Sequence, residues 1–320
     1  MDNLFTRCLF SVLLLFLTLQ GKCQASPTFK VIPLGVKGGS DESNLSSYML
    51  APEGSNSYVC LDAGTIQYGI EKAVETHIFK TTSSNVLRNY IKGYLISHAH
   101  LDHIAGLILN SPDDTVKNIY GLPYCLDILK EKYFNWKSWA NFANEGDKPQ
   151  LNQYHYIYVA SDKETGIENT QLHVRAFPLS HSYPYQSTAF LVRFRSSYLL
   201  YLGDTGADEI EKAENLHVLW EEIAPLISAK KLKGIFIEVS FPDQQPLKQI
   251  FGHLTPTLLM GEMDKLCKLT CREAMKNFKL IITHIKPAGN HEAEIKKQLR
   301  QLNKLNIHLI FPQQAQVLKL

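Results

Sequence analysis

Short apolar runs alternate with amphipathic stretches along most of the chain, which predicts an α/β protein. The runs predict strands at residues 29–34, 48–50, 58–61, 94–96, 154–159, 174–179, 189–194, 198–202, 234–239, 280–283 and 307–311. Helical spacing predicts helices at residues 66–75, 85–91, 124–134, 216–227 and 292–302. A further helix is expected to begin at Thr255, as its N-cap, with Pro256 in its first turn.

The first 25 residues differ from the rest of the chain. Arg7 precedes a nearly continuous apolar run at residues 8–19, which is too short to span a bilayer comfortably. We therefore expect a cleavable secretory signal at residues 1–25 and one globular domain at residues 26–320. A lipoprotein signal with Cys23 as the lipidated residue and an uncleaved anchor are the alternatives. With cleavage, the protein would be periplasmic or secreted, without stable membrane association.

Composition is that of an ordinary globular protein, with 45% hydrophobic and 20% charged residues among 320. The formal net charge is only +2, so nothing indicates a nucleic-acid polymer as the partner. Four cysteines follow the leader, namely Cys60, Cys125, Cys267 and Cys271. Buried free thiols are the favoured interpretation of most of them, because no further ligands at zinc-site spacing accompany them.

The densest group of metal-binding side chains lies directly after the strand at residues 94–96. His98, His100, Asp102 and His103 fall within six positions, and open α/β sheets place their ligand sites beyond the carboxyl ends of strands. Neutral imidazoles and carboxylates suit Zn²⁺, Fe or Mn²⁺. In a tight turn the first two side chains can face one ion while the other two face a second. The alternative is a polar loop that is merely rich in histidine.

Three more potential ligands repeat this placement at the ends of predicted strands. His181 follows the strand at 174–179, Asp204 follows the strand at 198–202, and His284 directly follows a strand that ends at Thr283. Alone, either histidine would more often be an ordinary core or surface residue. Together with the first four residues they can hold two ions, and the carboxylate of Asp204 can bridge them.

Such a pair of ions suits phosphoester hydrolysis. Two cations about 3.5–4 Å apart can share a water, lower its pKa towards neutrality and neutralise phosphoryl oxygens. The sequence contains neither a G-x-x-x-x-G-K-[ST] loop nor a G-x-S-x-G elbow. A P-loop nucleotide triphosphatase and a serine hydrolase are therefore disfavoured.

Two further features have two interpretations each. Asp62 can support a metal-bound histidine from behind, or it can cap a turn or helix. The segment at residues 121–160 is dense in tyrosine, phenylalanine and tryptophan. These rings can form ordinary packing or a cap over the sheet, or they can form a wall on which a purine stacks.

At residues 98–103 the sequence resembles the metallo-β-lactamase superfamily and, more narrowly, the class II cyclic-nucleotide phosphodiesterases. Residues 202–206, 251–256 and 282–287 match the same family. The resemblance extends from about residue 29 to residue 287. It implies an αβ/βα sandwich of the metallo-β-lactamase type, with two packed β-sheets flanked by helices.

The resemblance also implies roles for the ligands. His98, His100 and His181 would hold the first divalent ion, while Asp102, His103 and His284 would hold the second, with Asp204 between them. Zinc is the default metal for such a site. The implied reaction is hydrolysis of a 3′,5′-cyclic nucleotide, cAMP or cGMP, to the 5′-monophosphate, with Asp102, Asp204 and His253 as the catalytic residues. His253 would face the substrate phosphate, although its stretch can equally be just the start of a helix.

Two other functions compete with this one. The first is another hydrolase of the same fold, such as a lactonase, a thioesterase or a nuclease. A tRNA nuclease should carry a basic surface, which the charge balance does not indicate. The second is a nucleotide-binding protein without turnover, against which the presence of all seven ligands argues.

Overall fold

Two β-sheets lie face to face, and helices cover both outer faces. The computed structural model describes residues 28–320, so the expected signal at residues 1–25 lies outside the described residues. The strands are β1 (Phe29–Gly35), β2 (Ser47–Pro52), β3 (Tyr58–Leu61), β4 (Ile91–Leu95), β5 (Lys117–Gly121), β6 (Tyr154–Tyr158), β7 (Thr165–Gly166), β8 (His173–Ser180), β9 (Gln186–Phe194), β10 (Ser197–Leu202), β11 (Leu232–Glu238), β12 (Lys279–Thr283), β13 (His308–Ile310) and β14 (Leu318–Lys319).

The helices mostly follow the strands whose ends they connect. They are α1 (Gln67–Glu75), α2 (Ser83–Asn85), α3 (Leu101–Asn110), α4 (Pro123–Ile128), α5 (Asp208–Glu211), α6 (Asn215–Ser228), α7 (Pro256–Leu269), α8 (Arg272–Met275) and α9 (His291–Leu302). Within residues 28–320, none of these helices has the length and apolar character needed to cross a bilayer.

The strand order brings many carboxyl ends to one edge. The first sheet has the order β14-β1-β2-β3-β4-β5-β6 and the second has the order β13-β12-β11-β10-β9-β8-β7. Strands β3 to β6 are parallel, as are β10 to β13. β8 runs in the same direction as β10, because each pairs antiparallel with β9. The loops after β3, β4, β8, β10, β11 and β12 therefore meet above the same edge of the sandwich.

Apolar side chains fill three layers. Between the sheets, the ring of Tyr48 lies 5.8 Å from that of Tyr201 and 5.4 Å from that of Phe236. Ile104 of α3 belongs to the core under the first sheet, and Trp220 of α6 belongs to the core under the second. Burial of these faces from water is the main force that holds the four layers together.

Most predicted elements are confirmed, and the differences lie at their ends. The helix expected at residues 85–91 ends before Ile91, because this buried β-branched residue begins β4 opposite Tyr58. The helix expected at 124–134 divides into α4 and a π-helical turn, Leu129–Tyr133. Thr255 does occupy the N-cap position of α7, but its side chain makes no capping hydrogen bond.

Two glycines let α3 rest directly on the loop after β3. The backbone N–H of Gly106 donates to the carbonyl of Gly64 at 2.8 Å, and that of Ala63 donates to the carbonyl of His103 at 2.8 Å. A Cβ on Gly64 would lie 2.2 Å from the carbonyl oxygen of Asp102. Because Gly64 has no side chain, the first turn of α3 can approach the loop after β3 this closely.

We predict that Gly64→Ala lowers the free energy of unfolding by about 1–3 kcal/mol, because the methyl group overpacks this contact. Gly261→Ala is the matched control. It lies inside α7 with open space around the new methyl group, so it should stabilise the protein by roughly 0.5–1 kcal/mol. Urea unfolding of both variants measures the difference, and equal stabilities would contradict the role of Gly64.

Candidate metal centre

The predicted ligands sit on the loops at the shared edge of the sandwich. His98 and His100 lie in the loop after β4, whereas Asp102 and His103 lie in the first turn of α3, which begins at Leu101. The sequence-based expectation of a single turn for all four was therefore incomplete. A carboxylate in the first helical turn is favoured by the helix dipole and the free N–H groups there.

The remaining ligands come from the second sheet. His181 follows β8, Asp204 follows β10 and His284 follows β12. Three sets of side chains have potential donor atoms that all lie within 4.8 Å of one another: His98, His100, His181 and Asp204; Asp102, His103 and His284; and Asp204, His253 and His284. The structure thus brings all seven predicted ligands together, and it adds His253 to the same cluster.

Asp204 stands at the middle of the cluster and is almost fully buried. Its Oδ1 lies 3.3 Å from His103 Nε2, and its Oδ2 lies 3.3 Å from His284 Nε2 and 3.7 Å from His98 Nε2. One carboxylate therefore faces donors of both sets. This is the position that a bridging ligand requires.

The chemistry of the donors fits divalent cations. Burial lowers the pKa of His100 and of His253 to about 4, and with the nearby charge of His103 it lowers the pKa of His98 strongly. These imidazoles are neutral at physiological pH and can offer lone pairs. The buried Nε2 of His103 makes no hydrogen bond among the described residues, so a ligand-binding atom stands unsatisfied inside the cluster.

The carboxylates of the cluster are held in their charged form. Burial alone would raise the pKa of Asp102, but the hydrogen bond with His284 and the neighbouring His103 outweigh it and lower the pKa. For Asp204, burial is likewise outweighed by His284 and His103, and the pKa is held well below its usual range. The neutral imidazoles of His98, His100 and His253 beside two anionic carboxylates are donors that metal cations of borderline softness prefer.

Asp62 supports the cluster from behind. It is fully buried and has a left-handed backbone conformation with φ of 54°. Its Oδ1 accepts from the Ser97 backbone N–H at 2.7 Å, and its Oδ2 accepts from the Ser97 hydroxyl, His103 Nδ1 and the Tyr201 hydroxyl, each at 2.7 Å. Of the two interpretations of Asp62, this geometry fits the support of a ligand, and it matches no turn or helix cap.

The two sheets support their ligands in the same way. The Ser97 hydroxyl donates to Asp62 and stands 3.0 Å from His98 Nδ1. In the second sheet the Ser240 hydroxyl donates to buried Glu238 at 2.6 Å and stands 2.9 Å from His284 Nδ1. When Nδ1 donates to the serine oxygen, Nε2 carries the lone pair that points to the centre.

Glu238 also holds His253, and sequence analysis missed it. Its Oε1 lies 2.7 Å from His253 Nδ1 and accepts from the Thr205 backbone N–H at 3.1 Å. Burial, together with the charge of Asp204, raises the pKa of Glu238 to about 7. The available signal was a glutamate at the end of the apolar run at residues 234–239.

The aromatic segment contributes mainly to packing. Phe134, Tyr154 and Tyr156 are buried in the core under the first sheet. Tyr124 is different, because its ring meets that of Tyr185 edge-on at 5.5 Å near the cluster. Tyr185, which no sequence pattern indicated, stacks on the ring of His100.

The four cysteines are free thiols in the structure. Cys60 and Cys125 are buried, as expected, whereas Cys267 is partly exposed and Cys271 is exposed. Cys271 lies between α7 and α8 at the surface, so the expectation of a buried thiol is wrong for this residue.

Comparison with solved structures defines the class of fold. Unliganded yeast PDE1 superposes with a TM-score of 0.82 at 23% identity, covering 92% of this chain and 100% of the other. The metallo-β-lactamase fold protein YhfI of Bacillus subtilis gives a TM-score of 0.60 at 16% identity over 91% of this chain. The αβ/βα sandwich with its edge cluster is therefore a metallo-β-lactamase fold.

Sequence comparison then gives the family. The model of the class II cAMP phosphodiesterases matches residues 28–309, so the chain belongs to this family. A 3′,5′-cyclic-nucleotide phosphodiesterase of Aliivibrio fischeri is 39% identical over 309 residues, covering 92% of this chain and 93% of the relative. A probable 3′,5′-cyclic-nucleotide phosphodiesterase of Yersinia pestis is 35% identical, covering 91% and 89%.

We predict that Asp62→Asn weakens metal affinity by roughly 10- to 100-fold, because the amide cannot accept from all four donors that the carboxylate serves. The free energy of unfolding should fall by about 1–3 kcal/mol. Tyr201→Phe removes one of the four donors and should have the smaller effect on both quantities. Metal titration and urea unfolding measure them, and unchanged metal affinity in the asparagine variant would contradict this role.

Proposed function

We propose that this chain is a metal-dependent 3′,5′-cyclic-nucleotide phosphodiesterase that cleaves the 3′ ester bond and leaves a 5′-monophosphate. One observation carries the proposal: in a member of this family, two separate parts of the chain bring seven metal-binding side chains to one point. Two histidines alone could equally well have a purely structural role. Converging imidazoles beside Asp102 and Asp204, two carboxylates whose pKa is lowered, instead form the donor set of a cation site.

We propose that two divalent ions occupy this cluster. His98, His100 and His181 hold the first, while Asp102, His103 and His284 hold the second, and Asp204 contacts both. Zinc is the proposed metal, because catalytic zinc sites are commonly built from histidine and carboxylate ligands. When bound, the ions supply an activated water and neutralise the charge of the phosphoryl oxygens.

The protein itself orients the reacting groups. Asp102 is fixed at its position by the backbone N–H of Gly39, which donates to it at 2.8 Å. His253 is held through Nδ1 by Glu238, which leaves Nε2 to face the substrate phosphate. When Glu238 is protonated, as its raised pKa of about 7 allows, it can donate to Nδ1. The neutral ring then carries its proton on Nε2 and can donate it to a phosphoryl oxygen or to the departing 3′ oxygen without reorganisation.

We also propose that residues 1–25 are a cleaved export signal and that the enzyme works outside the cytoplasm. The apolar run at residues 8–19, with Arg7 before it, supports this. Expression of the full chain with a carboxyl-terminal tag, followed by fractionation and amino-terminal sequencing, should give an extracytoplasmic protein that begins near residue 26. A chain that keeps residues 1–25 would contradict cleavage, and one lipidated at Cys23 would establish the lipoprotein alternative.

We predict that a chelator abolishes hydrolysis of cAMP and that added divalent metal restores it. His98→Ala and Asp204→Asn should each lower the metal content and reduce kcat by at least about 10³-fold, because the activated water and the phosphoryl clamp are lost together. His308→Ala is the control, since this histidine is exposed on β13 and should leave both quantities unchanged. Assays with an acyl lactone and a thioester in parallel distinguish the other hydrolases of this fold.

Retention of normal activity by either ligand variant would refute the assigned centre. Turnover of the lactone or the thioester but not of a cyclic nucleotide would refute the phosphodiesterase assignment instead. Loss of activity in His308→Ala would show that histidine removal acts through folding rather than through metal binding.

A further inference from the structure

Large apolar side chains stand exposed beside the metal-binding residues. Leu101, directly after His100, is 63% exposed, and Tyr183, two residues after His181, is 82% exposed. Phe251, two residues before His253, is 63% exposed. Burial of such side chains from water is favourable. Their exposure at three separate loops around one centre therefore indicates a surface that something covers.

Contacts between the loops join these side chains into one surface. A Cβ on Gly252 would lie 2.1 Å from the backbone nitrogen of Ser182, so the loop of Phe251 rests directly on the loop of Tyr183. Tyr185, on the same loop, stacks on the ring of His100 at 4.4 Å with an interplanar angle of 14°.

Tyr124 completes the surface from the first sheet. It is 38% exposed, and its ring meets the edge of the ring of Tyr185 at 5.5 Å. We refer to Leu101, Tyr124, Tyr183 and Phe251 as the apolar rim. Leu101 and Tyr124 stand in the first turns of α3 and α4, whereas Tyr183 and Phe251 stand in loops. Each is within two residues of His100, His181 or His253, or is joined to His100 through the ring of Tyr185.

The opposite side of the centre has different chemistry. The ammonium group of Lys286 lies 5.3 Å over the ring of Phe241, and that ring lies 5.8 Å from the ring of His253. Lys286 makes no ion pair among residues 28–320. The mouth of the site is therefore apolar beside His100 and His181, and it carries a cation at Lys286, next to Phe241.

A cyclic nucleotide has the same two-sided character, with a flat apolar base at one end and an anionic phosphodiester at the other. We propose that the apolar rim is the seat of the nucleobase and that Lys286 lies on the phosphate side. The proposal rests on the phosphodiesterase function and adds the orientation of the substrate. Aromatic side chains bind bases of every kind by stacking, so this seat favours nucleotides over phosphodiesters without a base and need not select one purine.

The test compares two substrates that differ only in the base: cAMP and 1-deoxyribose 3′,5′-cyclic phosphate. The variants are Tyr183→Ala, Tyr124→Ala and Leu101→Ala. Leu109→Ala is the matched control for Leu101, because it lies on the same helix, α3, at the opposite end, and is 64% exposed. Metal content is measured for each variant, and Tyr183, the most exposed of the rim, is the variant that can least disturb the fold.

We expect each rim variant to raise the KM for cAMP by roughly tenfold, as stacking contacts to a base do, with kcat and the base-free substrate unaffected. Binding should follow the same pattern, with affinity for 5′-AMP weakened roughly tenfold and affinity for ribose 5-phosphate retained. Leu109→Ala should change nothing. The proposal is overturned if Tyr183→Ala and Tyr124→Ala leave the KM for cAMP unchanged, or if they impair both substrates equally at full metal content. Failure of the unmodified enzyme on both substrates would instead refute the phosphodiesterase function.

Discussion

The structure depends most on the buried carboxylate of Asp62. Its oxygens accept from a loop of the first sheet through Ser97, from helix α3 through His103 and from the second sheet through Tyr201. A buried carboxylate is costly unless its oxygens are satisfied, so these partners must all be in place together. The same constraint fixes the distance between the two sheets at the edge where the metal ligands stand. The position of His103 and the packing of the two sheets therefore both depend on the hydrogen bonds of Asp62.

Much of the cluster could be predicted, because several of its residues are neighbours in the sequence. His98, His100, Asp102 and His103 lie so close in sequence that the strand before them and the helix after them determine their position. His181, Asp204 and His284 were predictable for a different reason. Each follows an apolar run, and parallel strands in one sheet deliver their carboxyl ends to one edge.

The remainder could not be predicted, because it depends on contacts between distant segments and on backbone conformation. In the sequence, Glu238 is only a glutamate near the end of a predicted strand. Its role follows from the contact with His253, which the fold creates. Tyr185 gains its role only from stacking on His100, which belongs to the other half of the chain. Asp62 and His284 adopt left-handed backbone conformations, with φ of 54° and 57°. Neither conformation could be predicted from the residue type. Such strain persists only where the surrounding structure holds it.

The long sequence separation within the cluster has a consequence for biosynthesis. His284 and Asp102 meet across 182 positions, and Tyr201 reaches Asp62 across 139. Contacts of this kind close large loops and form late and slowly in folding. A ribosome must therefore deliver nearly the whole polypeptide before the two donor sets that contain His284 can form. Only a chain whose two halves are correctly docked can therefore complete the cluster.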